Sequence, residues 1–503
     1  MKNHKKAAIW LTIFFFFITS FPRISSAQGV TIDDDTLKQV YQYVEEQFTN
    51  KDILGGSYGI IYNGEVIEAK GIGVTDLETE EKVTPTTLYP IASVTKPFTA
   101  MGILYLYNQG MLDLKDTVTT YLPWFQYADV EKSSQITIEN LLTHSSGVNR
   151  FEADGAIYQN EKQNRASLES SIRALSSVEM ESNPGEQGEY CNTCYTTLGH
   201  IIEKVTGQPY EEYIEETVFS TLGMGHTTFT PEENHDDLAS EYSWFFGQQS
   251  KTERNYAVFG KSQQSEGGAY SNIEDISKFV TRLVDTNSAN IVPPDLLQYA
   301  HENGVPLASN EKRFYTLSGF ESEDFLEHKT LYKGGDGIGS TSGILLFPEE
   351  KLGIVLLIGE AESEVKQPLL QGIASILLGE RPEPIDLTWS LWKILGFIAL
   401  GILGIALILL FLLSFSLRKN IKRKFVLKRK WPYMVGGVLY LLLAIFLGYF
   451  LLTMRPSQVG FFGFPWDFAI SVMVLIFTFF LWSITLFFSL FEHVKRHKMN
   501  ISI

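Results

Sequence analysis

Two serines in the sequence, Ser93 and Ser57, have neighbours that could make them nucleophiles. Ser93 begins an S-x-x-K sequence that ends at Lys96, and the apolar pattern over 94–109 predicts a helix that starts at this sequence. Pro97 has no N–H and is tolerated only in the first turn of a helix, so it places the helix start near Ser93. Lys96 shares the serine's face of that helix. Partial desolvation favours a neutral amine, which makes Lys96 an acceptor for the serine proton.

The second serine, Ser57, lies in a G-x-S-x-G sequence over 55–59. A nucleophile elbow of that type needs a strand before the serine and a helix after it. Here the segments 57–62 and 65–70 are two short β patterns joined at Asn63-Gly64, which is typical of a two-residue hairpin turn. We therefore interpret the Ser57 match as fortuitous and Ser93 as the nucleophile.

Two further motifs follow Ser93 in the chain. Tyr190-Cys191-Asn192 precedes a predicted helix over 195–205, and Lys333-Gly334-Gly335 precedes a predicted pair of strands. This ordered set resembles the serine penicillin-recognising superfamily, in the branch of class C β-lactamases, low-molecular-weight penicillin-binding proteins and related D-peptidases and esterases. Their motifs are S-x-x-K, Y-x-N, and K-T-G or H-x-G. The resemblance covers about residues 30–380 and includes supporting stretches at 141–147, 267–275 and Pro348.

The resemblance implies a role for each matching residue. Ser93 would form an acyl-enzyme, and Lys96 and Tyr190 would share the acid and base work. Asn192 would form a hydrogen bond with the substrate amide, and Lys333 would bind a substrate carboxylate or assist Tyr190. Gly335 of the third motif would also line the substrate site. The backbone N–H groups of Asp336 and Ser93 would form the oxyanion hole. No metal or cofactor is expected.

The third motif departs from the family pattern. Gly334 replaces the threonine of K-T-G, so a hydroxyl donor that commonly helps to hold a carboxylate is absent. Lys333 stands where many relatives have histidine, which keeps a fixed positive charge at the site. Recognition of a substrate carboxylate therefore stays open, while another anion remains compatible with the motif.

The only cysteines, Cys191 and Cys194, lie inside the second motif. They are compatible with a redox switch, with a disulfide that fixes Tyr190, or with two small, semi-buried packing residues, and we favour the packing interpretation. Two cysteines alone cannot form a structural zinc site. His144 is interpreted as a buried turn residue and Asp275 as a residue that caps or supports a helix.

The charge of the chain is unevenly distributed. The formal net charge of −17 divides into +4 over residues 1–27, −32 over residues 28–387 and +11 over residues 388–503. A strongly acidic middle piece argues against nucleic acid or anionic lipid as its partner, because either would need cationic contacts. The pattern suits a domain exposed outside a cell.

Both ends of the chain predict membrane targeting. Residues 1–27 combine basic residues, an apolar run and small residues before a cleavage point, which predicts a secretory signal peptide. Apolar runs near 391–414, 433–453 and 468–490 predict three transmembrane helices within 388–503. The basic loop 415–432 is predicted to be cytoplasmic, which places the domain at 28–387 outside. The runs contain almost no charge, so anchoring is favoured over transport.

The domain at 28–387 is predicted to be α+β. An antiparallel sheet flanked by helices is expected from elements at both ends of the domain. The first elements are a helix with apolar residues over 37–48 and the hairpin near Asn63. The last are strands at 344–347 and 353–358 and a helix near 365–378. The chain between these ends is interpreted as a mainly helical lobe. With the family resemblance, this architecture predicts a β-lactamase/transpeptidase-like fold followed by the three helices.

The sequence thus predicts a membrane-anchored, extracytoplasmic serine hydrolase that acts on D-amino-acid-containing peptides, amides or esters. Its expected partners are a small-molecule or peptide substrate of the cell envelope and membrane lipid around the C-terminal helices, and no nucleic acid. A β-lactamase, a prodrug-activating D-peptidase and a sensor that binds penicillin without turnover are the alternatives, because scaffold and mechanism do not fix the leaving group.

Overall fold

The computed structural model describes residues 32–164, 168–231, 237–252, 263–285, 291–360, 363–385, 391–422, 431–453 and 466–499. The predicted signal peptide over 1–27 lies outside these residues. The strands are β1 (Gly55–Tyr62), β2 (Glu65–Gly73), β3 (Tyr89–Pro90), β4 (Tyr242–Phe245), β5 (Gln248–Lys251), β6 (Tyr270–Ser271), β7 (Gly304–Leu307), β8 (Asn310–Thr316), β9 (Glu321–Phe325), β10 (His328–Asp336), β11 (Thr341–Phe347) and β12 (Leu352–Ile358).

Helices occupy most of the remaining described chain. They are α1 (Asp34–Asn50), α2 (Lys96–Asn108), α3 (Val118–Tyr121), α4 (Val130–Ser133), α5 (Ile138–Leu142), α6 (Arg150–Asn164), α7 (Leu168–Arg173), α8 (Asn192–Thr206), α9 (Tyr210–Ile214), α10 (Gln264–Gly267), α11 (Ile273–Val284), α12 (Pro294–Glu302), α13 (Lys366–Leu377), α14 (Leu391–Lys422), α15 (Trp431–Thr453) and α16 (Trp466–Met499).

The main sheet of the described chain is antiparallel and has eight strands in the order β2-β1-β12-β11-β10-β9-β8-β7. The predicted sheet built from both ends of the domain is confirmed, since β1 pairs with β12 in the register Ile60↔Ile354. Neighbouring residues of β1 face opposite sides of this sheet. Ile60 packs with α1 and α13 on one side, and Ile61 belongs to the core shared with the helical lobe on the other.

The sheet is larger than the sequence indicates, because the segment 304–336 was expected to belong to the mainly helical part. Instead it forms β7 to β10. β8 and β9 carry several charged and half-exposed side chains, and β7 lies at the sheet edge. Such strands lack the apolar alternation by which a strand is recognised, and pairing with β10 rather than local pattern determines their structure.

The C-terminal region contains three long helices, α14 to α16. Within the described residues, Lys393–Leu413 and Ile470–Phe488 are long and apolar enough to cross a membrane, while the middle helix has a shorter apolar stretch, Val435–Phe446. Three helices agree with the sequence prediction, and two of them reach spanning length. The first extends to Lys422, so part of the predicted 415–432 loop is helical, and residues 423–430 lie outside the described part.

Candidate active site

The nucleophile candidate lies on a short 3₁₀ turn, Ala92–Thr95, which leads directly into α2. Pro97 occupies the first turn of α2, as its missing N–H predicts. Ala92 has a φ of 44°, a left-handed conformation that is strained for alanine and is typical of functional turns. The turn thus presents Ser93 at the junction between the sheet and the helical lobe.

Lys96 is fully buried one turn after Ser93. Its Nζ lies 3.2 Å from Ser93 Oγ, 2.9 Å from Asn192 Oδ1 and 2.7 Å from the Glu266 carbonyl oxygen. Burial, reinforced by the charge of Lys333, holds the pKa of Lys96 well below its usual range. A neutral amine has two N–H donors and one lone pair.

In the neutral form of Lys96, its hydrogen-bond partners determine where that lone pair faces. The amide oxygen of Asn192 and the carbonyl of Glu266 can only accept, so they take the two N–H groups. The lone pair therefore faces the Ser93 hydroxyl, which is the remaining partner and the one that can donate. In this arrangement Lys96 is ready to receive the serine proton.

Tyr190 and Asn192 come from the chain that enters α8. The Tyr190 hydroxyl donates to Ser93 Oγ at 2.7 Å. Burial raises the pKa of Tyr190 well above its usual value, so the phenol is protonated at neutral pH. Ser93 Oγ thus accepts from Tyr190 and contacts Lys96 on another side.

The two cysteines form a disulfide at the N-terminus of α8, with 5.3 Å between their Cα atoms. The packing interpretation of the sequence did not anticipate this bond. Cys191 is the N-cap residue, and its sulfur accepts from the Cys194 backbone N–H. Its own N–H donates to His144 Nδ1, and the buried His144 ring packs against the Tyr190 ring at 4.7 Å. The disulfide therefore fixes the segment between Tyr190 and Asn192.

The third motif lies at the end of β10. Lys333 is buried, and its Nζ lies 5.0 Å from the centre of the Tyr190 ring. A Cβ at Gly335 would collide with the carbonyl oxygen of Ile91 and would lie 3.0 Å from the Ser93 nitrogen. Only glycine allows this close approach, which brings the backbone around Asp336 next to Ser93.

Lys366, the first residue of α13, fills the space beside Gly334. A Cβ at Gly334 would lie 2.6 Å from Lys366 Cε and 2.5 Å from the Tyr332 hydroxyl oxygen. The Lys366 ammonium forms an ion pair with the half-exposed Asp336 carboxylate. Lys366 thus occupies the space that the threonine side chain of K-T-G would need.

Comparison with known proteins agrees with this geometry. The family model described as Beta-lactamase matches residues 40–375, about two thirds of the chain. The chain belongs to the beta-lactamase family. Within it, the chain is 31% identical to protein flp of Staphylococcus aureus strain N315 over 335 residues, or 65% of this chain and 64% of flp. The match therefore spans less than two thirds of that relative.

Solved structures of related proteins share the fold of this beta-lactamase family member. An octameric penicillin-binding protein homologue from Pyrococcus abyssi has a TM-score of 0.60 and 26% identity, covering 73% of this chain and 81% of its own. The D-alanine carboxypeptidase AmpC from Burkholderia cenocepacia has a TM-score of 0.56 and 21% identity, covering 69% and 99%. The second likeness concerns the fold alone. Together these findings identify a serine hydrolase superfamily domain of the β-lactamase and penicillin-binding-protein type.

The seven residues predicted for the site of this beta-lactamase family member lie together, but two neighbours were missed. Arg150 lies at the start of α6 with its guanidinium 5.0 Å from the centre of the Tyr190 ring. Asp154, one turn later, accepts from Asn192 Nδ2 at 3.4 Å, and burial raises its pKa to about 6. The i,i+4 spacing of Arg150 and Asp154 after the 141–147 stretch is the signal that could have revealed them.

The competing serine is not at the site. Ser57 lies in the middle of β1, buried and paired with Leu357 of β12 and Gly71 of β2. The strand continues to Tyr62, so no helix follows the serine and no elbow forms. Within the described residues, no group of three His, Cys, Asp or Glu side chains is arranged to hold a metal ion.

Proposed function

We propose that the chain is a membrane-anchored, extracytoplasmic serine hydrolase that acts through an acyl-enzyme on D-amino-acid-containing peptides, amides or esters. The observation that carries the proposal is the hydrogen-bonded set at Ser93. Its Oγ lies 3.2 Å from a buried lysine amine and accepts from a half-buried phenol at 2.7 Å. This set contains a nucleophile, an acceptor for its proton and a separate proton donor.

In the proposed acylation, Ser93 Oγ attacks the substrate carbonyl while its proton passes to the Lys96 lone pair. The developing oxyanion is held by the backbone N–H groups of Ser93 and Asp336, which the close approach at Gly335 brings together. Tyr190 gives its proton to the leaving group. The resulting phenolate is stabilised by the positive charges of Lys96, Lys333 and Arg150, each about 5 Å from its ring centre.

Lys96 then returns the proton to Tyr190, which restores the neutral amine and the phenol. A water molecule then attacks the acyl-enzyme while the amine of Lys96 takes its proton. Lys96 passes that proton to Ser93 Oγ as the acyl–oxygen bond breaks, which restores the serine hydroxyl and the neutral amine. Asn192 holds Lys96 through its amide oxygen and contacts Asp154 through its amide nitrogen. Besides bonding the substrate, Asn192 therefore keeps the base oriented through both proton transfers.

The substrate is proposed to carry an anionic group beside the scissile bond. Lys333 places an ammonium group at the end of β10 beside Tyr190, and Arg150 approaches from the helical lobe. The buried Lys333 favours an anion over a neutral partner, since a desolvated cation gains most from a charged acceptor. A peptide carboxylate meets this requirement, which supports carboxypeptidase or related D-amino-acid chemistry.

The anchoring part of the proposal is supported by two described helices of spanning length and by the charge distribution. Basic residues follow the first span at Arg418, Lys419 and Lys422, and the acidic domain precedes it. By the positive-inside rule this asymmetry favours a domain outside the cell membrane. The enzyme would then meet substrates of the cell envelope.

Labelling with a fluorophosphonate and with a fluorescent penicillin tests the proposal. We expect Ser93→Ala to remove label and hydrolysis together, with a loss of turnover of at least ~1000-fold, because no second nucleophile serves the covalent route. Ser57→Ala is the matched control. It removes a buried hydroxyl that has no hydrogen-bond partner among the described residues, so labelling and turnover should be unchanged.

The time course of the label separates the alternatives. Rapid loss of the penicillin label with product release indicates turnover, as expected for a hydrolase. A permanent adduct on Ser93 with no hydrolysis of any D-amino-acid ester or amide would contradict the proposal and favour a sensor. Residual turnover above ~1% in Ser93→Ala would contradict the assignment of the nucleophile itself.

A further inference from the structure

The hairpin formed by β4 and β5 lies apart from the catalytic residues and is not required by the proposed chemistry. Its two turn residues, Phe246 and Gly247, have φ values of 50° and 76°, which is typical of the tight turn that joins two twisted strands. Its aromatic tip comprises Trp244, Phe245 and Phe246. A hairpin with this composition on an acidic domain needs an explanation.

The base of the hairpin is firmly attached to the domain. The Tyr242 N–H donates to the Gly359 carbonyl at 3.1 Å, and the Tyr242 hydroxyl accepts from the Leu77 N–H at 2.9 Å. Gln249 donates to Glu360 at 2.7 Å. These contacts come from both strands, so the hairpin projects as a rigid part of the domain.

The tip of the hairpin is apolar, with Trp244 buried and Phe245 exposed. The side chain of Phe245 is 42% exposed, and its ring packs against that of Phe246 with 4.8 Å between the centroids. Phe245 and the half-buried Phe246 give the turn an apolar surface, and exposed apolar patches on soluble surfaces commonly mark contact with a partner or a membrane.

The tip lies against the first turns of α14. Lys393 Nζ is 4.6 Å from the centre of the Trp244 ring and forms an ion pair with Asp52. One turn later, a Cβ at Gly396 would collide with the Gly247 nitrogen, and the Phe397 ring lies beside the Gly247 Cα position. The hairpin therefore follows the helix from its charged start into its apolar part.

This contact sets the depth of the tip relative to the candidate span. The span begins at Lys393, and Phe397 lies four residues further, about 6 Å along a helix that rises 1.5 Å per residue. Interfacial segments bury their apolar faces about 5–10 Å into the boundary between headgroups and acyl chains. At the same level α14 exposes Ile394, Phe397 and Ile398, so the apolar surface continues from helix to hairpin.

We propose that the 242–251 hairpin inserts its tip into the outer leaflet of the membrane beside α14 and fixes the catalytic domain on the lipid surface. This inference rests on the proposed membrane anchoring. Lys393 and Asp52 mark the water side of the boundary, because a lysine at a span end keeps its ammonium in the polar region. Phe245 and Phe246 lie on the lipid side, as aromatic residues do at membrane interfaces.

The hairpin is connected to the catalytic site through the loop that contains Gly339. The Tyr242 N–H also donates to the Gly339 carbonyl at 3.3 Å, and Gly339 follows Asp336 of the site by three residues. A hairpin held at the membrane thus fixes the edge of the site that contains Asp336 close to the lipid surface. Substrates presented near that surface are favoured over those deep in the cell wall.

Nitroxide labels on the full-length protein test the proposal. Phe245→Cys places a label on the tip, while the native cysteines are joined to each other and do not react. Leu326→Cys is the matched control, since Leu326 is also 42% exposed and lies at the turn between β9 and β10. The protein is reconstituted at one chain per nanodisc in phosphatidylcholine and phosphatidylglycerol, and label accessibility to oxygen and to a water-soluble nickel chelate is compared.

The label at 245 is expected to be protected from the nickel chelate and accessible to oxygen, and the label at 326 to show the reverse. Equal nickel accessibility at both positions in chains that float with lipid overturns the proposal. The label at 245 is also measured in detergent, without lipid. If it stays protected from the nickel chelate there, and only in chains that form dimers, the proposal is overturned and a second copy of the chain is the partner of the tip. Failure to float with lipid contradicts the anchoring itself, and Ser93 labelling reports separately on the fold of each variant.

Discussion

Lys96 and Lys333 lie near the Tyr190 ring, have different roles in the proposed mechanism, and have pKa values that burial lowers. Lys96 must be neutral to accept a proton, and Lys333 must be charged to stabilise a phenolate and attract an anion. Burial lowers the pKa of both, well below the usual range for Lys96 and to about 8 for Lys333. Lys333 is partly protected by the carboxylate of Glu321, which raises its pKa. In the proposed mechanism, different neighbours thus make one of two chemically identical side chains a base and the other a cation.

These shifts predict a bell-shaped dependence of kcat/KM on pH. Activity should rise as pH increases through the lowered pKa of Lys96, because the amine becomes neutral above that value. It should fall as pH increases through about 8, because Lys333 is charged below its pKa and neutral above it. Steady-state rates on an anionic D-amino-acid ester between pH 5 and 10 provide the measurement. A profile that stays flat through pH 9 would contradict the role of Lys333.

A pair of substitutions should move the alkaline limb in opposite directions. Lys366→Met removes a positive charge that lowers the pKa of Lys333, so the limb should move to higher pH. Glu321→Gln removes the negative charge that raises it, so the limb should move to lower pH. Because the Lys366 ammonium is already paired with Asp336, its variant should move the limb with little change in KM for anionic substrates. If the alkaline limb moves in the same direction in Lys366→Met and in Glu321→Gln, this explanation of the Lys333 pKa is wrong.

At the scale of elements, the start of α8 connects packing to catalysis. The segment from Tyr190 to Asn192 has the disulfide on one side and the His144 ring on the other. Cys191 has two tasks there, because it both closes the covalent loop and caps the helix. Substitutions can separate the two, since serine is a good N-cap residue and alanine is a poor one.

The double variant Cys191→Ser, Cys194→Ser should lower the free energy of unfolding by about 2 kcal/mol, the loop-entropy value for so short a closed loop. Cys191→Ala, Cys194→Ala should cost about 1 kcal/mol more, since it also loses the cap. Both should keep one Ser93 label per chain but show lower kcat, because Tyr190 and Asn192 are less firmly held. Denaturant unfolding and kcat, with and without reductant, are the measurements. Equal stability and kcat in all samples would leave the cysteines as packing residues only.

Elements with a local sequence signal could be predicted, both near the chain ends of the domain and at α2 and α8 in its middle, whereas β7 to β10 could not. α1 shows a helical periodicity because one of its sides is buried, the first hairpin is marked by its Asn63-Gly64 turn, and β11 and β12 are buried throughout. β8 and β9 form only because neighbouring strands pair with them. The Lys366 contact with Gly334 lies equally beyond sequence reasoning, since it joins residues 32 positions apart across the end of the sheet. Motif order located Ser93, whereas tertiary packing supplied Arg150 and Lys366.

At the scale of the whole molecule, the acidic domain and the basic C-terminal region differ in charge but pack against each other at the start of α14. The domain over 28–387 has a formal charge of −32, and the region over 388–503 has +11. The acidic domain is repelled by anionic headgroups, so simple electrostatic attraction would not hold it at the membrane. In the proposed anchoring, the contacts of α14 with the β4–β5 hairpin attach the domain instead, and the lysines and arginines of α14 beyond Leu413 lie at the other end of that helix.

This asymmetry predicts the orientation of the full chain. Eight lysines and arginines between residues 418 and 430 should keep that segment inside the cell, and the start of α14 with the domain should lie outside. A protease added to intact cells that display the full-length protein should therefore digest residues 28–387 and remove the fluorophosphonate-labelled Ser93 fragment. A C-terminal epitope should remain with the membrane on a fragment that retains residues 418–430. Permeabilised cells are the control, in which the same protease should cut the basic segment. Cleavage there in intact cells would reverse the orientation and, with it, the placement of the catalytic site on the outer surface.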